Sequence, residues 1–339
     1  MLHSAHLHHS GSIRFAAVTI MAAGALLLSG CADAESQTSS VAGDSHYPVT
    51  VENCDTQVTF EQEPERLLLL KSAAVPALHE LEVLERAVAR AGAYPEDYYD
   101  QETLSELEQI EHLTKDTDQT GHTLLSTDVA IAQEPDLVLG ELDNLNRQTL
   151  APTGIPTIEE PAMCPGGLDN PSFDSIYEQL RVYGEVFNRG DRVEEVITNL
   201  QDRVRSMEAK VSASGAAGRT AAVLYPTVGG GTTYAYGTQS MAHPQLEAAG
   251  FTNVFGDVDN RVFEITDEEL IGRNPDVLIL LHSDGDPEMV KNAVEQLPGA
   301  GHLDALRNDD VMVQLMNFTE PATPLTVTGL ENIVEKFYS

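Results

Sequence analysis

Apolar and polar positions arrange this chain around one segment, Ser172 to Val211. Its second half places Val193, Val196, Ile197, Leu200, Val204 and Met207 at steps of three and four, which puts them on one stripe of a helix. The first half, Ile176 to Phe187, carries the same period, and Asn188-Arg189-Gly190 breaks the two pieces. Asp191 is the expected N-cap of the second piece, with Glu194 as its capping-box partner. On either side the pattern changes. Before the helical segment stands DVAIAQEPDLVLG, Asp128 to Gly140, and after it EELIGRNPDVLIL, Glu268 to Leu280. In each, an acidic residue stands seven positions before a Pro-Asp pair, and an apolar run follows. Proline fixes φ and ends the preceding helix, so the order helix, turn, buried strand is expected. A continuous Leu/Val/Ile run fits a strand covered on both faces, as in a parallel sheet. The two units predict two Rossmann-like α/β lobes, 47–171 and 213–339, joined by a single long helix over 172–212.

The remaining pattern is shorter. Residues 47–53 and 57–60 alternate as a hairpin would, and Arg66 to Leu70 reads as the first buried strand, with a helix over 73–86. Val88 to Ala91 is a second strand, leading into a tyrosine-rich loop from Tyr94 to Tyr99. The acidic stretch 100–122 yields no clear element. In the second lobe Thr220 to Leu224 is a strand running into Gly229-Gly230-Gly231, where a missing Cβ permits close approach of a ligand. No Gly-Lys-Ser/Thr follows, so this is not a phosphate loop. Further elements are a helix over 242–249, strands at 253–255 and 311–315, and a helix over 328–337.

Charge narrows the function. The 339 residues suffice for two cores, and the formal net charge is −35. Phosphate binding needs a basic face, so nucleic acid is excluded as a partner, as is electrostatic adsorption to anionic lipid. The first 30 residues have an n-region with Arg14, an apolar stretch from Phe15 to Leu28 too short for a confident membrane span, and the ending Leu28-Ser29-Gly30-Cys31. That ending matches the bacterial lipobox, in which Cys31 becomes the lipidated N-terminus. Residues 31–46 are small and polar, as a flexible tether would be. Export places the other two cysteines, Cys54 and Cys164, in an oxidising compartment, and an even count without CxxC predicts that they pair. The bridge would pin the N-terminal hairpin to the end of the first lobe, contributing about 4–5 kcal/mol in the chain-entropy account.

Several stretches carry a resemblance. Tyr47 to Cys54 (YPVTVENC), Glu134 to Gly140, Met163-Cys164-Pro165, Leu180 to Gly184, Leu246 to Val254 (LEAAGFTNV), Asp259 to Glu264 and Gly329 to Asn332 resemble the lipoprotein substrate-binding components of ABC importers for ferric siderophores, haem and cobalamin, with greatest similarity to actinobacterial iron-uptake members. The resemblance covers about 47–339. It implies two lobes with the ligand in the cleft between them, and modest closure, because a helix bends less easily than paired strands. It also implies an ABC permease and its ATPase as partners, a location outside the cytoplasmic membrane of a Gram-positive bacterium, a monomer, and no resident cofactor. Family members dock their permease through one acid on each lobe, and the matching positions are Asp128 and Glu268. Asp128 is one methylene shorter than the family's usual Glu.

In open α/β sheets ligands sit beyond the carboxyl ends of strands. The positions just after predicted strands are Lys71 and Ser72, Tyr94, and Asn144, Asn146 and Arg147 in the first lobe. In the second they are Tyr225, Tyr234, Tyr236, His282 and Asn317, with Arg261 in the loop after Val254. Lys71, Tyr94, Arg147, Tyr225, Tyr236, Arg261 and His282 are the candidate ligand-binding residues. Cations and aromatic rings suit a bulky iron chelate, and arginine offers a planar fork to its oxygens. Haem or cobalamin is the alternative ligand. Haem would need an axial Tyr or His, for which Tyr236 and His122 are candidates beside Tyr234 and His282. No histidine spacing suggests a bare metal site. An enzyme of related bilobed fold is a weaker reading, since no cluster-forming cysteine set, GxSxG or HExxH is present. A surface scavenger without a permease is the third.

Overall fold

The computed structural model describes residues 46–116, 123–215, 218–283 and 285–339; the targeting segment, Cys31 and His122 lie outside them. The described chain opens with an antiparallel hairpin of β1 (Val49–Asn53) and β2 (Thr56–Phe60). The first lobe follows as β3 (Leu67–Leu69), α1 (Val75–Glu80), β4 (Ala87–Ala91), α2 (Gln101–Gln109), β5 (Glu111–Thr114), α3 (Thr127–Ile131), β6 (Leu137–Leu139), α4 (Arg147–Leu150) and β7 (Thr157–Ile158). Its strands form a parallel sheet in the order β5-β4-β3-β6-β7. The predicted linker is two helices, α5 (Phe173–Val186) and the longer α6 (Gly190–Ser214), parted where Asn188-Arg189-Gly190 breaks the pattern. The second lobe comprises β8 (Thr220–Pro226), β9 (Thr233–Tyr236), α7 (Ala242–Ala248), β10 (Thr252–Asn253), β11 (Val262–Ile265), α8 (Asp267–Arg273), β12 (Val277–His282), α9 (Pro287–Glu295), α10 (Asp304–Arg307), β13 (Val311–Leu315) and α11 (Pro324–Tyr338). Its sheet is mixed: β12 is parallel to both β8 and β13, while β9 runs antiparallel to β8 and to β11.

The two Pro-Asp units fold alike. After α3 and α8 a residue of positive φ, Glu134 at 50° and Asn274 at 42°, stands immediately before the proline; Asn274 caps α8 directly, and Glu134 follows α3 by three positions. Each following aspartate then holds the start of the neighbouring strand. Asp136 accepts from the amides of Glu65 and Arg66 at 2.9 and 2.8 Å, leading into β3. Asp276 accepts from the Thr220 amide and hydroxyl at 2.7 and 2.9 Å, at the start of β8. A parallel strand has no hairpin partner to satisfy its first amides, and a carboxylate supplies the missing acceptor.

Three expectations are corrected. Asp191 does not cap α6: the helix starts one residue earlier, Arg189 takes the N-cap position, and no side chain caps it. Glu194 instead accepts from Arg181 of α5 at 2.8 Å, tying the two helices across their break. Gly229 to Gly231, all at positive φ, form the turn between β8 and β9, closed by the Thr227 hydroxyl donating to the Thr232 carbonyl at 2.6 Å. The helix expected over 73–86 is a 3-10 turn, α1 and a second 3-10 turn, interrupted at Glu82. The acidic stretch after Asp100 holds α2 and β5; only Thr103 and Leu107 of α2 are buried, too few to leave a periodic signature.

One buried cluster runs through both lobes. It joins Leu67 and Leu69 to Leu180 and Tyr183 of α5, to Ile197 and Leu200 of α6, to Val223 and Ile279, and to Leu330 and Ile333 of α11. Two glycines let the helices come close enough. A Cβ on Gly184 would stand 2.6 Å from the Val193 side chain, and one on Gly329 only 1.7 Å from the Phe318 carbonyl oxygen. The predicted disulfide Cys54–Cys164 is present, with a Cα–Cα distance of 5.2 Å, and fixes the hairpin turn to the segment after β7.

Glu160, just beyond β7, is buried inside this framework. The Tyr183 hydroxyl donates to it at 2.7 Å, and its other oxygen, Oε2, has no hydrogen-bond partner among the described residues. Burial pushes its carboxyl up to about 7, with the Tyr183 bond opposing and neighbouring Glu159 reinforcing the shift. The folded protein therefore keeps a proton that the unfolded chain releases from about pH 4.5 upward. Stability from this group is full below that value and falls as pH rises toward 7, by on the order of 2–3 kcal/mol. Glu160→Gln cannot ionise, so urea unfolding should show the variant gaining on the wild-type protein between pH 5 and pH 8. A difference that stays constant across that range would mean that Glu160 does not titrate in it.

Candidate ligand-binding cleft

Segments that follow the strands of the two sheets meet across a seam. Asn317, after β13, donates its amide to the Tyr98 hydroxyl at 2.9 Å and its side-chain nitrogen to the Ser72 hydroxyl at 3.1 Å. The rings of Tyr98 and Phe318 pack edge to face at 5.2 Å, and Tyr99 packs beside Tyr98. Further along, Arg261 of the second lobe reaches the Met163 sulfur of the first at 3.8 Å.

On one flank of this bridge lies a cavity of about 1040 Å³, walled by the end of β4, α2 and the end of β5 on one side and by His282, β13 and Phe318 on the other. Tyr94 stands in its wall, donating to the Leu69 carbonyl at 3.0 Å, with the Arg90 guanidinium 4.9 Å from its ring centre. Burial pushes the Tyr94 hydroxyl well above its ordinary range. His112 donates through Nε2 to the Gly92 carbonyl at 2.9 Å. Burial holds its pKa down against the Gly92 bond, and the nearby charges of Arg90 and Lys115 lower it further, which favours the neutral ring. A second cavity, of about 530 Å³, lies under Tyr98 and Tyr99 beside Arg203 of α6.

Two charge pairs adjoin the residues that bridge the seam, Lys71 next to Ser72 and Arg261 itself. Lys71 bonds to Glu159 at 2.6 Å, and Glu159, with 3% of its side chain exposed, also accepts from the amides of Glu141 and Glu160 at 2.9 and 2.8 Å. Arg261 bonds to Glu320 at 3.3 Å, and Glu320, 1% exposed, accepts from the Met241 amide at 2.6 Å. Burial raises the Glu320 pKa against the pull of both partners. Beside this pair Tyr236 is buried, and burial followed by the Glu320 charge raises its hydroxyl above the ordinary range. The Tyr225 hydroxyl meets the Ser283 hydroxyl at 3.1 Å.

Of the candidate residues, Tyr94 and His282 line the larger cavity; Lys71, Arg261, Tyr225 and Tyr236 are not in its lining, and Arg261 stands close to Glu320 and Tyr236. Arg147 goes elsewhere. Its guanidinium donates to the Asn53 carbonyl at 2.9 Å, the Asn53 side-chain oxygen at 2.6 Å and the Thr157 carbonyl at 3.1 Å, clamping the hairpin onto β7. Asn144 and Asn146 are likewise spent on local structure, the first on the Leu125 carbonyl and the second on capping α4. Glu159, Glu320, Tyr98 and Phe318 were not among the candidates. A strand-end rule finds Glu159 once β7 is recognised; Glu320 and Phe318 carry no local signal. Asp128 and Glu268 occupy matching places, each exposed and each the second residue of a helix capped by a hydroxyl, Ser126 for α3 and Thr266 for α8.

Known proteins share the fold that carries this cleft. Over 87% of its length the chain aligns with the whole of a crystal structure of an ABC-type Fe3+-hydroxamate transport system from Saccharomonospora viridis, at 53% identity and a TM-score of 0.81. Two more distant structures share the fold. One is a periplasmic heme-binding protein from Pseudomonas aeruginosa, at 15% identity over 81% of this chain and 93% of that one, with a TM-score of 0.65. The other is a periplasmic vitamin B12-binding protein of Vibrio cholerae, at 13% identity over 80% and 96%, with a TM-score of 0.56. No curated protein matches the sequence. Residues 70–314 match the periplasmic binding protein family, and the chain belongs to it.

Proposed function

We propose that this chain is the extracytoplasmic substrate-binding lipoprotein of an ABC importer, and that it binds a ferric siderophore of the hydroxamate class and delivers it to a permease and its ATPase. The observation that carries the reading is the 53% identity to a Fe3+-hydroxamate transport structure that the chain covers in full. The seam supports it: a cavity of about 1040 Å³ suits a bulky chelate, and tyrosines with a neutral histidine supply rings for its faces. The task is binding, and no chemical step is assigned to any residue. Haem fits less well, because coordination by tyrosine uses the phenolate, and burial of Tyr236 disfavours that form.

Cys31 would hold the protein to the membrane by its acyl chains, with the following residues as tether. Asp128 and Glu268 would dock the permease. Both are exposed, and the Pro-Asp repeat places them alike on the two lobes. An acid at each of two equivalent positions suits a partner that offers a cation to each.

The chain has no tryptophan, so tyrosine fluorescence reports binding directly. Titration of the protein from Ser45 onward with ferric hydroxamates, hemin and cyanocobalamin should give sub-micromolar quenching with a ferric hydroxamate and none with hemin. A shifted Soret band that is lost in Tyr236→Ala would replace the siderophore with haem. In cells, Asp128→Arg combined with Glu268→Arg should abolish uptake while ligand affinity stays within about twofold. Uptake unchanged by the double substitution would remove these residues from docking.

A further inference from the structure

Charge is the property of the cleft that its residues define most closely. The cations expected to hold an anionic chelate, Lys71 and Arg261, are already matched by Glu159 and Glu320. Those carboxylates are buried, so they can neither turn away nor be hydrated when a ligand arrives, and an incoming anion meets each pair as a near-neutral unit. The cavity wall adds to this. Among its described residues Arg90 and Lys115 face three carboxylates, Glu96, Asp97 and Glu108, while His112 is held neutral. Glu96 and Asp97 are exposed at the rim. Beyond the wall, a formal charge of −35 repels anions during approach, to the extent that salt does not screen it.

We infer that this cleft selects iron chelates by charge, taking cationic and uncharged ferric hydroxamates and rejecting anionic ones, an inference that rests on the ferric-siderophore reading above. The chemistry of the ligands makes the distinction large. Three hydroxamates, each singly negative, cancel the ferric charge, and a free amine on the chelator makes the whole complex a cation. Three catecholates leave a trianion. Glu96 and Asp97 are the residues that would meet an amine at the mouth of the cavity, and Glu159 and Glu320 are those that deny an anion the use of Lys71 and Arg261.

The test varies charge with the chelating core held constant. The lipid-free protein from Ser45 onward is titrated, by tyrosine quenching, with ferrioxamine B, with its N-acetyl derivative and with its N-succinyl derivative. These are a cation, a neutral complex and an anion on one trihydroxamate core. Affinity should fall in that order, by about tenfold from cation to anion at low salt, and the gap should narrow as salt is raised. In Glu96→Gln with Asp97→Asn, two surface changes whose fold is checked by circular dichroism, the gap should shrink. Equal affinity for the three complexes, or tightest binding of the anion, overturns charge selection and leaves the siderophore reading standing. Binding of none of the three overturns both.

Discussion

Two carboxylates with almost no contact with water, Glu159 and Glu320, constrain the seam between the lobes more than any other groups. An ionised carboxylate left unpaired in such a place would cost several kcal/mol, so each must be surrounded by donors. Glu159 has Lys71 and two backbone amides; Glu320 has Arg261 and one. The pairs in turn fix where the cations stand. Each pair lies within one lobe. Beside the shared apolar cluster, the contacts described across the seam are of another kind: a tyrosine hydroxyl, a serine hydroxyl, a methionine sulfur and a ring packed on a ring. The two hydrogen bonds made by Asn317 are neutral and contribute about 1 kcal/mol each. Separation of the lobes therefore breaks the weak bonds and leaves the charge pairs intact.

This division of labour bears on how a ligand is held. A family member whose cations were free would draw anions and depend on them to settle its cleft. Here Lys71 and Arg261 are matched by the chain's own acids, so under the proposed reading a ligand would contribute shape and ring contacts over a surface already electrically balanced. The buried hydroxyl of Tyr94, with His112 whose charged form burial disfavours, extends that character over the wall of the larger cavity, and the hydroxyls of Tyr98 and Tyr99 extend it over the smaller one.

The parts of the fold that were legible in the sequence have local causes. The Pro-Asp repeat could be read because a left-handed residue, a proline and a capping aspartate act within a few positions, and they act in the same way twice. Tyr94 and His282, which the strand-end rule picked out, lie on the cavity wall, and β4 and β12 are long enough to show in the sequence. The rule missed Glu159 because β7 is two residues long and lies between Pro156 and Pro161. Arg147 obeyed the spacing and still went elsewhere, since its partner Asn53 is 94 positions away and no local pattern announces it. The three glycines after Tyr225 looked like a place for a ligand to come close, yet β9 is four residues long, too short to reveal the hairpin that needs them.

The position of α11 has a consequence for the order of events in the life of the chain. Val327, Leu330, Ile333 and Val334 complete a core that begins at Val51, and α11 lies against both α6 and the Phe318 segment, where Gly329 lets it in. Until α11 has been made, the apolar stripe of α6 has no cover on that side. The first lobe therefore cannot reach its native packing ahead of the second, and the two lobes mature as one folding unit.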